Sequence, residues 1–176
     1  MRIIAGTLKG QIFETPSGHK THPMSEKIRG ALFNILGDIN GLEVLDVFGG
    51  SGGISFEAIS RGADHVTIIE SDRTAQKTIA NNISKLNLGD KVTLVSANVS
   101  SWMNKNPNTK FDLVIADPPY DKLQYELIER LYALLNKDGL LVLSWPGNDD
   151  QIRMHHLEMV DRKNYGDAQL IFYRLI

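Results

Sequence analysis

The sequence contains no cysteine, which excludes disulfides and thiolate metal sites and suits a reducing compartment. Long apolar runs are lacking too. The longest, around Leu140 to Trp145, is far too short to span a bilayer. The opening MRIIAGTLKG is too broken by glycine for the apolar region of a signal peptide. No internal repeat, low-complexity tract or linker interrupts the chain. A soluble cytoplasmic protein without membrane contact is expected. Strong charge of one sign is absent overall, since the net charge is only −2 over 176 residues, and the molecule as a whole is no polyanion binder.

What is present is uneven. Residues 1–30 carry five bases (Arg2, Lys9, Lys20, Lys27, Arg29) against two acids (Glu14, Glu26), while the rest of the chain is net acidic. A basic leading segment on an acidic body points to a local contact with phosphates. Ile3-Ile4 and Ile12-Phe13 around Gly6 and Gly10 predict a short β-ribbon, and residues 16–23 a loop. Ser25 then caps a helix with Ile28, Ala31, Leu32, Ile35 and Leu36 on one face, ending near Gly37. From there strand and helix alternate. Strands are predicted at 43–48, 65–70, 91–97, 111–116 and 139–145, with two more extended patterns at 157–163 and 169–175. Helices are predicted after the first, second and fourth, the last carrying Leu127, Ile128, Leu131, Leu134 and Leu135. Asp72 and Arg73 read as a helix start, and the stretch around Trp102 as irregular. Apolar strands joined by helical crossovers mean an α/β fold with a parallel sheet covered on both faces. One domain is expected over 38–176, with residues 1–37 as a ribbon-and-helix extension packed on it.

Two stretches carry chemistry. In LDVFGGSGG, 45–53, Asp46 precedes a glycine turn into a helix, a turn that lets the backbone approach a ligand closely. Glu70 closes the second strand, where an acid can accept both hydroxyls of an adenosine ribose. These features suit a nicotinamide enzyme equally well. The decisive one is DPPY, 117–120, at the end of the fourth strand. Ligands of open parallel sheets lie outside the C-terminal strand ends, so Asp46, Glu70, Asn98 and Asp117 should share one rim. The exocyclic amine of a nucleobase is a poor nucleophile because its lone pair is delocalised. A carboxylate on Asp117 and a carbonyl on Pro118, held still by the two prolines, can accept from both N–H groups and turn that lone pair outward. Tyr120 offers a stacking face. His155-His156 lack further ligand spacing and are not expected to bind metal; Trp102 and Trp145 are expected to pack.

These residues resemble a known family. RIIAGTLKG (2–10), HPMSEKIRGALFNIL (22–36), LDVFGGSGGISFEAISRGA (45–63), Glu70, DPPY and YGD (165–167) are similar to the RsmD-type bacterial methyltransferases. The resemblance implies a Rossmann-like class I S-adenosylmethionine-dependent methyltransferase with a mostly parallel seven-stranded sheet, acting on the N2 amine of a guanine in 16S ribosomal RNA. It places Asp46, Phe48, Gly50 and Gly52 around the methionine half of the cofactor, with Gly49, Ser51 and Ser71 alongside. Glu70 would hold the ribose, and Asn98 would lie near the adenine. Asp117, Pro118, Pro119 and Tyr120 would hold the guanine, and Arg2, Lys9, His22, Lys27 and Arg29 the RNA. The expected partner is 16S rRNA within a small-subunit ribonucleoprotein particle, and the protein is expected to be monomeric and free of metal. The family usually has arginine-proline-threonine at His22-Pro23-Met24, alanine at Gly49 and aspartate at Asn98. The rivals are a nucleic-acid adenine-N6 methyltransferase, served equally by the loop, and a catalytically silent RNA-binding protein of the same fold.

Overall fold

The apolar runs pair as their composition dictates, and in the computed structural model the described residues are 1–17, 23–147 and 154–176. The predicted contact at His22 lies outside them. Strand β1 (Glu43–Asp46) lies between β2 (His65–Glu70) and β4 (Phe111–Ala116), parallel to both, with β3 (Val92–Ser96) outside β2. Strand β5 (Leu135–Pro146) runs parallel to β4, and β7 (Ala168–Leu175) and β6 (Leu157–Tyr165) complete the sheet antiparallel. The order β3-β2-β1-β4-β5-β7-β6 reverses between β1 and β4. That switch point is where an open α/β sheet leaves a crevice for ligands.

Both faces of the sheet are buried, as continuous apolar strands require. Val44, Ile68, Ile115 and Val142 face one cluster with α1 (Glu26–Leu36), α2 (Gly53–Ser60) and α3 (Arg73–Lys85). Their sequence neighbours Leu45, Ile69, Val114 and Leu141 face a second, with α4 (Val99–Lys105) and α5 (Tyr125–Arg130). Ser25 caps α1 by accepting from the Ile28 N–H, and Asp72 caps α3 by accepting from Thr74 and Ala75.

Three expectations need correction. The stretch around Trp102 is α4, capped by Asn98, whose side-chain oxygen accepts from the Ser101 N–H at 3.3 Å. The helix predicted through Leu135 stops at Arg130 and tightens into a 3-10 turn, Leu131–Leu134. Leu135 is drawn into β5, where it pairs with Phe111. The short N-terminal ribbon forms as expected: Arg2 bridges Ile12 antiparallel, and the N–H groups of Ile3 and Phe13 donate across it to Gln11 (2.9 Å) and Met1 (3.0 Å). The segment also bonds to the body.

Those bonds explain the third correction. Arg29 is only 1 % exposed and cannot meet a phosphate. Its guanidinium donates to the Arg2 carbonyl at 2.7 Å and lies 3.7 Å from Glu57 on α2. Glu57 is itself fully buried, accepting from the backbone N–H groups of Ile4 (2.8 Å) and Ala5 (3.1 Å) and from Arg61 (2.8 Å). Farther along, Asn82 on α3 both accepts from and donates to the Glu14 backbone at 2.9 Å. The leading segment is fastened over α2, every residue of which is buried.

Candidate active site at the carboxyl rim of the sheet

Strand β1 ends on Asp46, and the chain turns through Gly49–Gly52 into α2. Gly52 has φ 77°, and a Cβ there would stand 2.7 Å from the Phe56 ring. A non-glycine residue would be strained in its backbone and crowded in its side chain. Gly52 offers no side chain to cap α2, and the Ser51 hydroxyl accepts from the Gly53 N–H at 3.3 Å instead. At Gly49, where the resemblance leads one to expect alanine, a Cβ would meet Ile68 Cγ2 at 2.3 Å. The turn lies against β2 more closely than a methyl group allows.

Asp46 is 1 % exposed. Its Oδ2 accepts from the Ser55 hydroxyl at 2.7 Å, whereas Oδ1 is buried without a partner. Burial pushes this carboxyl up to about 7; the nearby Asp117 and Glu70 carboxylates add to the rise and Ser55 opposes it. The strand thus ends on a buried acid with one unfilled acceptor.

Glu70 is half-buried at the end of β2. One oxygen accepts from the Gly50 N–H and the other from the Asp72 N–H, both at 2.7 Å. The carboxylate is thereby locked toward the glycine turn, and each oxygen retains a lone pair for a ligand hydroxyl. Phe48 is half-buried, Ser51 buried, and Ser71 and Asn98 exposed.

Across the switch point, β4 ends and DPPY begins. Asp117 is half-buried, Pro118 buried, and Pro119 and Tyr120 exposed. Burial pushes the Asp117 carboxyl up to about 6, against a hydrogen bond from Ser144. The Tyr120 phenol lies 2.9 Å from the Ser144 hydroxyl, and burial raises it as well, while the residue as a whole keeps 40 % of its surface exposed. Asp46, Glu70, Asp117 and Tyr120 therefore gather at one rim. Of the expected RNA contacts, Arg2 is exposed and pairs with Glu26 at 3.0 Å, and Lys9 and Lys27 are exposed.

Two site residues escaped the sequence reading. Ser55 sits one turn into α2, nine residues from the acid it serves. Ser144 is 24 residues from Tyr120, and only its place near the end of a strand beside β4 could have marked it.

Comparison with known proteins agrees with this geometry. Residues 1–174 match the family described as "Conserved hypothetical protein 95". The chain is 28 % identical to the "Putative rRNA methyltransferase YlbH" of Bacillus subtilis, over 99 % of this chain and 98 % of that one. It is 32 % identical to the ribosomal RNA small subunit methyltransferase D of Escherichia coli, over 80 % of this chain and 69 % of the relative. Among solved structures, the "Putative methyltransferase yhhF" of Escherichia coli superposes with a TM-score of 0.87 at 28 % identity, covering 99 % of this chain and 97 % of that one.

Proposed function

The chain belongs to the RsmD-type rRNA methyltransferase family, and from that premise we propose that it methylates the exocyclic N2 amine of a guanine in small-subunit 16S rRNA, using S-adenosylmethionine and holding the base in the DPPY loop. S-adenosylmethionine supplies, when bound, a methyl carbon on a sulfonium, open to attack by a nitrogen lone pair.

The residues of the rim fit that cofactor. The unpartnered Oδ1 of Asp46 suits the α-ammonium of its methionine half, which restores the charge that burial penalises. Glu70, fixed by Gly50 and Asp72, directs its remaining lone pairs to the ribose hydroxyls. The Gly49–Gly52 turn lets backbone approach the ligand, with Phe48, Ser51 and Ser71 alongside. Asn98 already accepts from Ser101; the second lone pair of its amide oxygen can serve the adenine amine.

On the substrate side, the Asp117 carboxylate and the Pro118 carbonyl accept from the two N–H groups of N2, so the amine presents its lone pair rather than its hydrogens. The open face of Tyr120 stacks on the base. Such stacking contributes about 1–3 kcal/mol, an offset to drawing the base from its stack. Most of the acceleration is positional. Above about pH 6 Asp117 is ionised and able both to accept and to receive the proton that N2 releases. Arg2, Lys9 and Lys27 on the 1–37 extension contact phosphates, which orient the RNA without reading its sequence.

The observation that carries this reading is the pairing of β1 with β4, which sets Asp46 opposite Ile115 and so brings Asp46 and Asp117 to the same rim across the switch point. One rim thus offers a cation site and an amine site facing each other. The test is labelled methyl transfer to unmodified small subunits, followed by mapping of the modified base. Wild type should label a guanine N2. Asp117→Ala should keep S-adenosylhomocysteine affinity within a few-fold and lose about 10²–10³ in rate. Label on an adenine N6 would assign the reaction to that amine, and no label with intact RNA binding would make the protein a silent binder.

A further inference from the structure

We propose that Ser144 is a positioning residue for methyl transfer, its hydroxyl fastening the Asp117 carboxylate and the Tyr120 ring to each other and to β5. The inference rests on the reaction proposed above and concerns a residue that neither the glycine turn nor the DPPY motif contains.

The strand register brings the three together. Ala116 on β4 pairs with Leu143 on β5, so Asp117 and Ser144 are the next residues along two adjacent strands. Ser144 is 3 % exposed. Its Oγ lies 2.9 Å from the Tyr120 hydroxyl, and the strand register sets it beside Asp117. A serine hydroxyl has one proton to donate and two lone pairs to accept with. With Asp117 ionised, that proton goes to the carboxylate and the Tyr120 phenol donates to Oγ. The chain then runs one way, from phenol to serine to acid. It ties the acceptor of the amine and the stacking face of the base to one buried atom.

A hydroxyl at this place is otherwise out of character, because its strand neighbours Val142, Leu143 and Trp145 are all buried apolar residues. Tyr120 is more than a ring in this arrangement. With its far end tethered, the exposed face cannot swing, and the plane offered to the base is fixed relative to Asp117. Misplacing a reacting group by about 1 Å costs up to roughly a hundredfold in rate.

Other charges also bear on Asp117 and Tyr120. Asp46 on β1 lies near Asp117, Glu70 on β2 acts on Asp46, and Asp167 in the turn between β6 and β7 raises the Tyr120 phenol. All are acids, so among the described residues Ser144 is the neighbour that favours the ionised Asp117.

The experiment uses the full chain with Ser144→Ala, Ser144→Thr, Tyr120→Phe and the Ser144→Ala/Tyr120→Phe double variant. Three quantities are measured: kcat and KM for labelled transfer to unmodified small subunits across pH 5–9, S-adenosylhomocysteine affinity by calorimetry, and the Asp117 carboxyl titration by carbon NMR without ligand. Ser144→Ala and Tyr120→Phe should each lower kcat roughly tenfold to a hundredfold, with cofactor affinity within about twofold. The double variant should be no slower than Ser144→Ala, since both remove one chain. Ser144→Thr, which keeps the hydroxyl, should restore most activity. In Ser144→Ala the Asp117 midpoint and the acid limb of kcat should both move to higher pH. An unchanged kcat and pH profile in Ser144→Ala, or multiplicative losses in the double variant, would overturn the inference. If wild type transfers no methyl group while the Asp117 midpoint still rises in Ser144→Ala, the coupling stands and the assigned reaction falls.

Discussion

Replacing Asp46 by asparagine should make the free protein more stable at alkaline pH while spoiling its cofactor site. The wild-type carboxyl is fully buried and pushed from 3.8 to about 7. A raised folded-state value means that the native state holds this proton more tightly than the unfolded chain does. Stability from the group is therefore complete below about pH 4 and drains away as pH rises through about 7. Between pH 5 and pH 8 the loss integrates to about 2–3 kcal/mol. Asparagine resembles the neutral acid in shape, can still accept from the Ser55 hydroxyl, and does not titrate. Denaturant unfolding at several pH values should show the Asp46→Asn advantage growing by about that amount from pH 5 to pH 8. Calorimetry should show the opposite ranking for S-adenosylhomocysteine, with wild-type affinity falling below pH 7 as the acid protonates and the variant weak throughout. Parallel stability curves for the two proteins would refute the account of Asp46 as a buried acid awaiting a cation.

Further outcomes follow from the same contacts. Glu70→Ala should weaken S-adenosylhomocysteine at least roughly tenfold, since hydrogen bonds to charged groups contribute about 1.5–3 kcal/mol; it should also lower Tm, because the Gly50 and Asp72 N–H groups lose their acceptor. Unchanged affinity would remove Glu70 from the ribose site. Gly49→Ala should destabilise by about 1–3 kcal/mol through overpacking against Ile68, read as a fall in Tm. Arg29→Ala should cost about 1–3 kcal/mol by leaving the Arg2 carbonyl without its buried donor, while Glu57 keeps Arg61, whereas Lys9→Ala and Lys27→Ala should leave Tm unchanged and each flatten the salt dependence of RNA binding by about one charge. Identical salt slopes for wild type and both lysine variants would show that the extension does not meet phosphates.

Much of this was legible along the chain, for reasons that can be named. His65–Glu70 and Phe111–Ala116 were readable to the residue because each is an apolar β-branched run closed by a carboxylate. Helix α4 was hidden because VSSWMNK is short and carries no repeating stripe. Leu131, Leu134 and Leu135 do fit a helical stripe, but strand pairing with β4 claimed the last of them. Arg29 shows the limit of charge counting. The buried face of α1 runs through Leu32 and Phe33, three and four residues beyond Arg29, so periodicity alone places a charge inside. Its partner is on α2, and no local spacing announces a pair 28 residues apart. Ser144 was invisible for the same reason: the hydroxyl acquires its meaning only when β5 settles beside β4.

The seam between the leading segment and the body also sets an order of events during synthesis. Ile4 and Ala5 bond to a residue more than 50 positions later, and Glu14 to one 68 positions later. At a synthesis rate of about 5–20 residues per second, the segment waits roughly 3–14 seconds for its docking partners to be made. Over that interval Ile3 and Phe13, which end up 1 % exposed, have no core to enter, and Arg29 has no Glu57. The leading segment thus finds its place only after residues well behind it have been made. Until it docks, α2 lacks the cover that keeps it from water, and a ribosome-borne chain displays an apolar helix that a chaperone can grip.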